Sequence, residues 1–408
     1  MVLSNFILVL DGLLLISLIA IAAFYVLLIR SLRSAPRLQP AASPPNPDLS
    51  LAVIIPAYNE ADNLRDCVEA ALTTELPPAQ FKIWIADDQS TDDTGKIAQA
   101  LAEEHPNVTA LTVPPRPSDE IWRGKNWACA NAVQQTAADY LLFLDADVRL
   151  KPGALPAALA EAQTYGTDLL SCAPKIECSC FSEWLVQPIM MSAIAIGFDF
   201  EAINTSDRLE DAFAAGPFML FRRTAYETIG GHAAVHDQVV EDVELARQIR
   251  AQGLTLRYVL GVELIDLRMY TSFAALWEGW TKNYYLGTQE NLPLTLFSAF
   301  TIGMVFVMPW VGLLASLLLS LPGVNATAIA YYPTLGLYGL TALTLGFYWL
   351  LRVTGHRRVS VPIRYWWLSA VGGLLVIAIA LVSIVKTKTG WGWTWRGRPL
   401  KAAYSKGS

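Results

Sequence analysis

Apolar residues are concentrated in four long runs, one at the start of the chain and three near its end. The runs cover residues 6–29, 294–321, 329–351 and 365–385. A helix that crosses a bilayer needs about 20 apolar residues, and each run is long enough. The pattern therefore predicts a transmembrane anchor in residues 1–30 and a C-terminal transmembrane region of about three helices in residues 291–386.

Basic residues follow the first run at once, as Arg30, Arg33 and Arg37. By the positive-inside rule they place the next part of the chain in the cytoplasm. The first run has no cationic leader before it and no small-residue cleavage site after it. We therefore interpret it as an anchor in the plasma (inner) membrane and not as a removed signal peptide.

The number of C-terminal crossings stays open at this point. Residues 352–364 are rich in arginine and belong inside by the same rule. Three single crossings would then place the basic tail, residues 387–408, outside. One run could instead form a hairpin or a re-entrant segment, and Pro309 is the obvious place for a bend.

The middle of the chain has a different pattern, in which short apolar runs alternate with segments of helical period. A proline-rich stretch, residues 31–48, precedes it and reads as a stiff linker. Strands are predicted at residues 51–55, 82–86, 108–113, 140–144, 169–173 and 214–222. Helices are predicted at residues 59–74, 92–104, 125–137, 153–165, 239–252 and 273–287. This alternation predicts an α/β domain with a mostly parallel central sheet in residues 49–290.

One segment inside this domain, residues 181–203, is also strongly apolar, with acidic residues at both ends. It could cross the membrane. Because it lies between two pieces of the predicted domain, we expect a helix in the membrane interface.

Composition supports a globular domain joined to membrane helices, since 53% of residues are hydrophobic and 16% are charged. The net charge of −6 argues against a nucleic-acid partner. The five cysteines lack zinc-finger spacing, so we expect them to be reduced and structural.

Two carboxylates, Asp145 and Asp147, follow the predicted strand at 140–144. Ligands of parallel α/β sheets bind beyond the carboxyl ends of the strands. Two hard oxygen ligands at this position suit Mg²⁺ or Mn²⁺ and, through the cation, a diphosphate. The alternative is a strand followed by an ordinary acidic turn.

Further polar residues follow other predicted strands. Pro56, Ala57 and Tyr58 can wall a slot for a stacked base. The carboxylate of Glu60 and that of either Asp87 or Asp88 can accept hydrogen bonds from a uracil-like N–H and ribose hydroxyls.

Two more residues at predicted helix starts have structural and functional interpretations. Asp92 is better explained as a helix cap. Lys125 lies at a helix start where backbone N–H groups and its ammonium could both face phosphate, although it could also be a solvated lysine.

The polar residues after the predicted strands follow one another in a recurring order, and Glu241-Asp242 comes later, at the start of a predicted helix. Together these motifs resemble those of family 2 inverting glycosyltransferases with a nucleotide-sugar-binding GT-A fold. The resemblance covers residues 49–287. It implies that Asp147 is the more direct metal ligand and that Asp145 leans toward the ribose and the metal. It also implies that Asp242 is the catalytic base, with Glu241 assisting.

One difference from the family pattern indicates which members of the family are most similar. Processive and ceramide-type relatives carry Gln-x-x-Arg-Trp after the base, and here Trp280 is present while Lys282 is the nearest cation. The segment around these two residues, on the acceptor or phosphate side, is more similar to membrane enzymes that glycosylate hopanoids and carotenoids.

We therefore expect an integral membrane hexosyltransferase that uses a UDP-linked sugar and a lipid acceptor, with its catalytic domain in the cytoplasm. Two alternatives remain. One is a processive polysaccharide synthase, and the other is a catalytically silent membrane scaffold that binds nucleotide sugar.

Overall fold

The protein is described from a computed structural model. The described residues are 2–41, 46, 48–73, 76, 80–197, 199–321 and 331–400. The chain divides into two compact units. We call residues 34–177 and 198–269 the sheet unit, and residues 1–33, 178–197 and 270–408 the helical unit.

Strands and helices follow one another along the chain as expected for an α/β domain. The strands are β1 (Leu51–Ala57), β2 (Phe81–Asp87), β3 (Val108–Thr112), β4 (Tyr140–Leu144), β5 (Val148–Leu150), β6 (Leu169–Ala173), β7 (Lys175–Ile176), β8 (Phe218–Arg222), β9 (Leu256–Leu260), β10 (Ile265–Leu267), β11 (Thr394–Trp395) and β12 (Arg398–Pro399). The helices are α1 (Val2–Ser34), α2 (Leu64–Leu72), α3 (Thr94–Glu104), α4 (Gly124–Val133), α5 (Ala154–Thr164), α6 (Phe181–Gly197), α7 (Phe200–Thr205), α8 (Arg223–Thr228), α9 (Glu241–Ala251), α10 (Phe273–Gly287), α11 (Leu292–Ile302), α12 (Met308–Leu319), α13 (Tyr331–Val359) and α14 (Ser369–Thr389).

The sheet unit is built on a seven-stranded sheet in the order β3-β2-β1-β4-β8-β6-β9 within the described residues. Leu51 of β1 lies opposite Phe81 of β2 on one side and Tyr140 of β4 on the other, in parallel register. β8 runs antiparallel to both of its neighbours, and the remaining pairs are parallel. The predicted mostly parallel sheet is therefore confirmed.

A smaller sheet forms beside the end of β4. Its central strand β10 pairs antiparallel with β5 and parallel with β7. The backbone N–H of Arg268, just after β10, donates to the carbonyl of Asp147 at 3.0 Å. This sheet, which the sequence pattern did not predict, therefore braces the turn that carries the predicted metal ligands.

The predicted helix at residues 59–74 is wrong at its start, because α2 begins at Leu64. Asn59 has a φ of 53°, which is left-handed and cannot continue a helix. The N–H of Glu60 donates to Thr94 Oγ1 at 2.8 Å, so this segment is a turn held by the next loop. The loop after β1, which contains the predicted polar residues, is thus longer than expected.

The predicted strand at residues 214–222 is also too long, because β8 begins at Phe218. Ala215 exchanges two hydrogen bonds with the hydroxyl of Ser171, as donor at 2.8 Å and as acceptor at 3.1 Å. The backbone of Ala215 therefore bonds to a side chain and not to the backbone of a neighbouring strand. Residues 214–217 accordingly form a loop.

The predicted linker is partly structured in the sheet unit. The N–H of Leu38 donates to the carbonyl of Leu260 at 2.9 Å, and the N–H of Leu260 donates to Pro36 at 2.8 Å. These bonds extend the edge of β9. Residues 42–45 and 47 of the predicted linker lie outside the described residues.

Among the described residues of the helical unit, four helices are long and apolar enough to cross a membrane. They cover Asn5–Ser34, Leu292–Leu319, Thr334–Val359 and Trp366–Thr389. Residues 322–330, between the second and third, lie outside the described residues. The lengths agree with one N-terminal and three C-terminal candidates.

Pro309 does not reverse the chain. α11 and α12 continue into one another through a π-helical turn at Gly303–Val307. Proline lacks the N–H that an α-helix needs at its interior, and a wider turn just before it accommodates this loss.

Side-chain contacts show how α13 and α14 run relative to the α11–α12 segment. Trp310 Nε1 donates to Ser369 Oγ at 2.8 Å, and the N–H of Tyr285, just before α11, donates to Ser383 Oγ at 2.9 Å. α14 is therefore antiparallel to the α11–α12 segment. Ser320 Oγ lies 3.0 Å from the hydroxyl of Tyr338, and α13 is antiparallel to α12 as well.

Because α13 and α14 run in the same direction, residues 360–368 must return along α13. Arg352 Nη2 donates to the carbonyl of Pro362 at 2.6 Å, and the rings of Trp349 and Trp366 lie 4.8 Å apart. The return brings the basic end of α14 to the end of the bundle where α11 begins.

α6 is packed into the helical unit along α14. A Cβ added at Gly372 would collide with the carbonyl of Leu185, so the two helices approach closely there. Glu183 is fully buried and accepts from the N–H groups of Ser179 at 2.7 Å and Tyr270 at 3.1 Å. A location of this helix in the membrane interface stays a prediction.

Candidate active site

The loops after β1 and β2 are fastened to each other. The N–H of Asp88 donates to the carbonyl of Ala57 at 2.8 Å. Asn59 donates its N–H to Ser90 Oγ at 3.0 Å and accepts from the N–H of Thr91 at 2.9 Å. Tyr58 and Glu60 are therefore held beside the carboxylates that follow β2.

The two carboxylates after β2 differ in their contacts. Asp87 Oδ1 accepts from the N–H of Ser90 at 3.0 Å, which uses part of that carboxylate in the turn. Asp88 is almost fully buried, and its Oδ1 lies 4.0 Å from Arg116 Nε. Asp92 Oδ1 accepts from the N–H of Thr94 at 3.0 Å, but the N-cap residue of α3 is Asp93, so the predicted cap, Asp92, lies one position before the observed one.

Lys125 lies between two carboxylates at the start of α4. Its Nζ is 2.7 Å from Asp145 Oδ1 and 2.9 Å from Glu241 Oε1, and 28% of its side chain is exposed. Burial acts to lower the pKa of Lys125, but the two carboxylates outweigh it and raise that pKa well above its usual range. The structure thus joins residues that are distant in the sequence.

Asp242 lies next to this ion pair. Its Oδ2 accepts from the N–H of Gly216 at 2.8 Å, and its Oδ1 accepts from the N–H of Val243 at 2.9 Å. Burial, and then the charge of Glu241, raise the pKa of Asp242 to about 6. For Glu241, burial also acts upward, but the charge and hydrogen bond of Lys125 prevail and lower its pKa.

Gly216 lies close to both Asp242 and Lys125. A Cβ added there would lie 3.0 Å from Asp242 Oδ2 and 3.3 Å from Lys125 Nζ. The next residue, Pro217, accepts from the N–H of Asp145 at 3.1 Å. One loop therefore contacts the predicted base, the predicted phosphate ligand and the first predicted metal ligand.

Two residues that sequence reasoning did not select hold the loop before α9. Arg123 Nε donates to the carbonyl of Asp237 at 2.8 Å. Asn126 is fully buried, and its Nδ2 donates to the carbonyls of Val235 at 2.7 Å and Gln238 at 3.2 Å. These bonds connect α4, which carries Lys125, to the start of the helix that carries Asp242.

The turn from Asp145 to Asp147 is held by side chains behind it. Arg149 Nη1 donates to the carbonyl of Ala146 at 3.0 Å, and Cys67 Sγ lies 3.5 Å from the carbonyl of Asp145. Burial raises the pKa of the Cys67 thiol, so this cysteine is structural. The five cysteines are all described, and none forms a disulfide.

The donor set fits a cation that is completed by its substrate. Within the described residues, no group of three or more histidine, cysteine, aspartate or glutamate side chains converges on one point. Asp145 and Asp147 offer two hard oxygen ligands. Mg²⁺ and Mn²⁺ in phosphate-binding sites commonly use one or two carboxylates, with water and phosphate oxygens as the other ligands.

Trp280 and Lys282 make their described contacts inside the helical unit. Trp280 is buried, and its Nε1 donates to Gln187 Oε1 at 3.0 Å. Lys282 Nζ lies 4.1 Å from the ring of Trp395. Their role on the acceptor or phosphate side stays a prediction.

Comparisons with known proteins identify similar chains. Residues 52–230 match the family described as glycosyl transferase family 2. The 4,4'-diaponeurosporenoate glycosyltransferase of Staphylococcus aureus strain USA300 is 28% identical over 251 residues, which cover 60% of this chain and 63% of that protein. The matched region therefore spans less than two thirds of that relative.

A similar solved structure is a mannosyltransferase from Pyrobaculum calidifontis in complex with GDP-Man and Mn²⁺. The alignment covers 92% of this chain and 98% of that one, with a TM-score of 0.51 and 15% sequence identity. At this level of identity the likeness shows a shared fold, which is the predicted GT-A type.

Proposed function

We propose that this chain, whose residues 52–230 match glycosyl transferase family 2, is a membrane hexosyltransferase. It transfers a sugar from a nucleotide donor, preferably UDP-linked, to an apolar lipid acceptor. The observation that carries this proposal is the position of Lys125, with Asp145 and Glu241 on either side and Asp242 adjacent. This group combines a phosphate ligand with a carboxylate of raised pKa.

The donor would lie across the carboxyl ends of β1, β2 and β4. Pro56, Ala57 and Tyr58 would wall the base, while Glu60 and one of the carboxylates after β2 accept from base and ribose. The hydrogen bonds between the β1 and β2 loops support a single preformed wall. Lys125 would donate to the diphosphate as a charge-assisted ligand.

Asp145 and Asp147 would hold Mg²⁺ or Mn²⁺ with the diphosphate. When bound, the cation neutralises negative charge on the departing nucleoside diphosphate. Mn²⁺ in the Pyrobaculum calidifontis mannosyltransferase structure supports this choice of cation. Asp145 would be shared between the cation and the ammonium of Lys125.

Asp242 would act as the base. Its carboxylate takes the proton of an acceptor hydroxyl while the hydroxyl oxygen forms a bond to the anomeric carbon, and the bond from that carbon to the diphosphate breaks. Two backbone N–H groups, of Gly216 and Val243, orient the carboxylate. A single displacement of this kind inverts the anomeric centre.

Glu241 would be a positioning residue. Its carboxylate is paired with Lys125 at 2.9 Å, and its pKa is lowered, so it is a poor base. Its negative charge contributes to the raised pKa of the adjacent Asp242. One acid thus places the lysine and strengthens its neighbour as a base.

A lipid acceptor and a membrane location follow from the helical unit. Four apolar helices support insertion into the inner membrane. The relative from Staphylococcus aureus is named for an apolar carotenoid acid. Arg30, Arg33 and the basic end of α14 would all lie on the cytoplasmic side, together with the sheet unit.

The proposal is tested by mass spectrometry of lipid extracts from cells with and without this chain. We expect a lipid whose mass increases by one hexose and, where the acceptor is a lipid alcohol, its absence with Asp242→Asn. Extracted polymer without a glycolipid would favour a polysaccharide synthase. An unchanged lipid profile, together with intact nucleotide-sugar binding, would favour the silent scaffold and contradict the proposal.

The acceptor group can be resolved in the same system. A hydroxyl must lose its proton during attack, whereas a carboxylic acid is already ionised at neutral pH. Asp242→Asn should therefore abolish transfer to a lipid alcohol but spare much of the transfer to a lipid acid. Equal loss with both acceptors would show that Asp242 does more than remove a proton.

A further inference from the structure

The return segment between α13 and α14 carries exposed arginines next to aromatic rings. Arg357 and Arg364 are exposed. The guanidinium carbon of Arg364 lies 4.8 Å from the ring centre of Tyr365 and 5.4 Å from that of Trp184 in α6. Within the described part of the chain, no carboxylate lies within ion-pair distance of Arg364.

The backbone supports a specific arrangement at this point. Tyr365 has a φ of 58° and a ψ of 25°, a left-handed conformation that is unfavourable for a bulky residue. This turn directs the Tyr365 ring to Phe181, with ring centres 5.3 Å apart, and to Trp184 at 6.4 Å. The packing therefore maintains a strained residue that fixes Arg364 beside α6.

The surroundings are apolar as well as basic. Phe181 is 55% exposed and Trp367 is 51% exposed, and both rings contact Tyr365. Aromatic rings beside arginine at a helix end are typical of the membrane interface. A guanidinium close to aromatic rings and without a carboxylate partner keeps N–H donors that can bind a phosphate oxygen.

We propose that Arg364, held beside Trp184 and Tyr365, binds the phosphate of an anionic glycerophospholipid. The exposed rings of Phe181 and Trp367 would contact the glycerol and upper acyl region of the same lipid. Arg357 adds positive charge to the surface without a carboxylate partner among the described residues. The bound lipid would tie α6 and the return segment to the membrane boundary.

Native mass spectrometry of the full-length chain in detergent tests this site independently of glycosyl transfer. The protein is titrated with phosphatidylglycerol, with phosphatidylcholine or with inorganic phosphate. We expect retained phosphatidylglycerol at concentrations where phosphatidylcholine is lost, and no effect of phosphate. Equal retention of both lipids, or competition by inorganic phosphate, would overturn the lipid-phosphate site.

Arg364→Gln should raise the half-saturating phosphatidylglycerol concentration about fivefold, the effect of one interfacial arginine. The matched control is Arg208→Gln, which removes an exposed arginine of the sheet unit that pairs with Glu210. The control should bind as the unmodified chain does. Unchanged binding by Arg364→Gln would refute the assignment.

A second substitution covers the case in which Arg364→Gln does not fold. Arg364→Lys keeps the charge but loses the planar group that packs on the rings. It should show an intermediate affinity for phosphatidylglycerol. Affinity equal to that of the unmodified chain would show that general charge, and not this guanidinium, binds the lipid.

Discussion

Replacement of Gly216 by alanine is a sharp test of where the base lies. The added Cβ would lie 3.0 Å from Asp242 Oδ2 and 3.3 Å from Lys125 Nζ. Both distances are shorter than ordinary van der Waals contacts, so the two side chains must move by a few tenths of an ångström. The substitution therefore separates the base from its position without removing any functional group.

The size of the effect follows from this geometry. A displacement of about 1 Å at a reacting group can cost about 100-fold in rate. A shift of a few tenths should lower kcat roughly tenfold, equivalent to about 1.4 kcal/mol of activation free energy. Donor binding should weaken less, because the flexible lysine can move away from the Cβ.

The assay is transfer of radiolabelled sugar to a lipid alcohol at saturating donor and acceptor. Gly287→Ala is the matched control, because a Cβ there meets no atom within 4 Å. The control should keep its kcat, and thermal unfolding should show that both variants fold. An unchanged kcat in Gly216→Ala would refute the placement of the base beside Gly216.

Four further predictions follow from the same contacts. The value of kcat/KM should rise with pH through about 6, because Asp242 must lose its proton to act, and a profile that is flat from pH 5 to 8 would contradict this. Lys125→Met should raise the KM for donor and lower kcat at least about 10-fold, since one charge-assisted phosphate ligand is lost; unchanged kinetics would exclude a phosphate role. Asp147→Asn should raise the Mn²⁺ concentration for half-maximal activity about 10-fold or more, and an unchanged value would remove it from the metal site. Arg149→Gln should lower the free energy of unfolding by about 1–3 kcal/mol in denaturant titrations, because the carbonyl of Ala146 loses its donor, and full stability would contradict this.

Six of the seven strands of the large sheet were predicted, because each contains a short apolar run, whereas β9 was not predicted. Residues 140–144 are all buried, and the predicted and observed bounds of β4 coincide. The short strands β5, β7 and β10 were not predictable. Their pairing depends on tertiary contacts around the turn after β4, and short runs carry little periodicity.

The acidic and basic residues of the site were predictable from their order and from where strands end. Their joint contacts with Gly216 were not. A glycine shows its role only when its backbone N–H and the space at its Cα are known. Asn126 and Arg123 were missed for a similar reason, because they bind backbone carbonyls of a loop more than 100 residues away in sequence.

In the helical unit, too, some features were predictable from the sequence and others were not. Hydrophobic length predicted the four apolar helices. It could not predict which segment reverses the chain, and the return occurs at residues 360–368 while the helix continues through Pro309. The contacts of Arg352 and Trp366 that fix this return join residues whose sequence separation carries no pattern.

The central claim is that Asp242 removes the acceptor proton while a separate group of residues binds the donor. Donor affinity and transfer rate should therefore be measured together in Asp242→Asn, by calorimetry with UDP-sugar and Mn²⁺ and by transfer to a lipid alcohol. The account predicts a Kd within about twofold of the unmodified chain and a transfer rate lower by about a thousandfold. Substantial transfer activity in this variant, or loss of donor binding in proportion to activity, would contradict it.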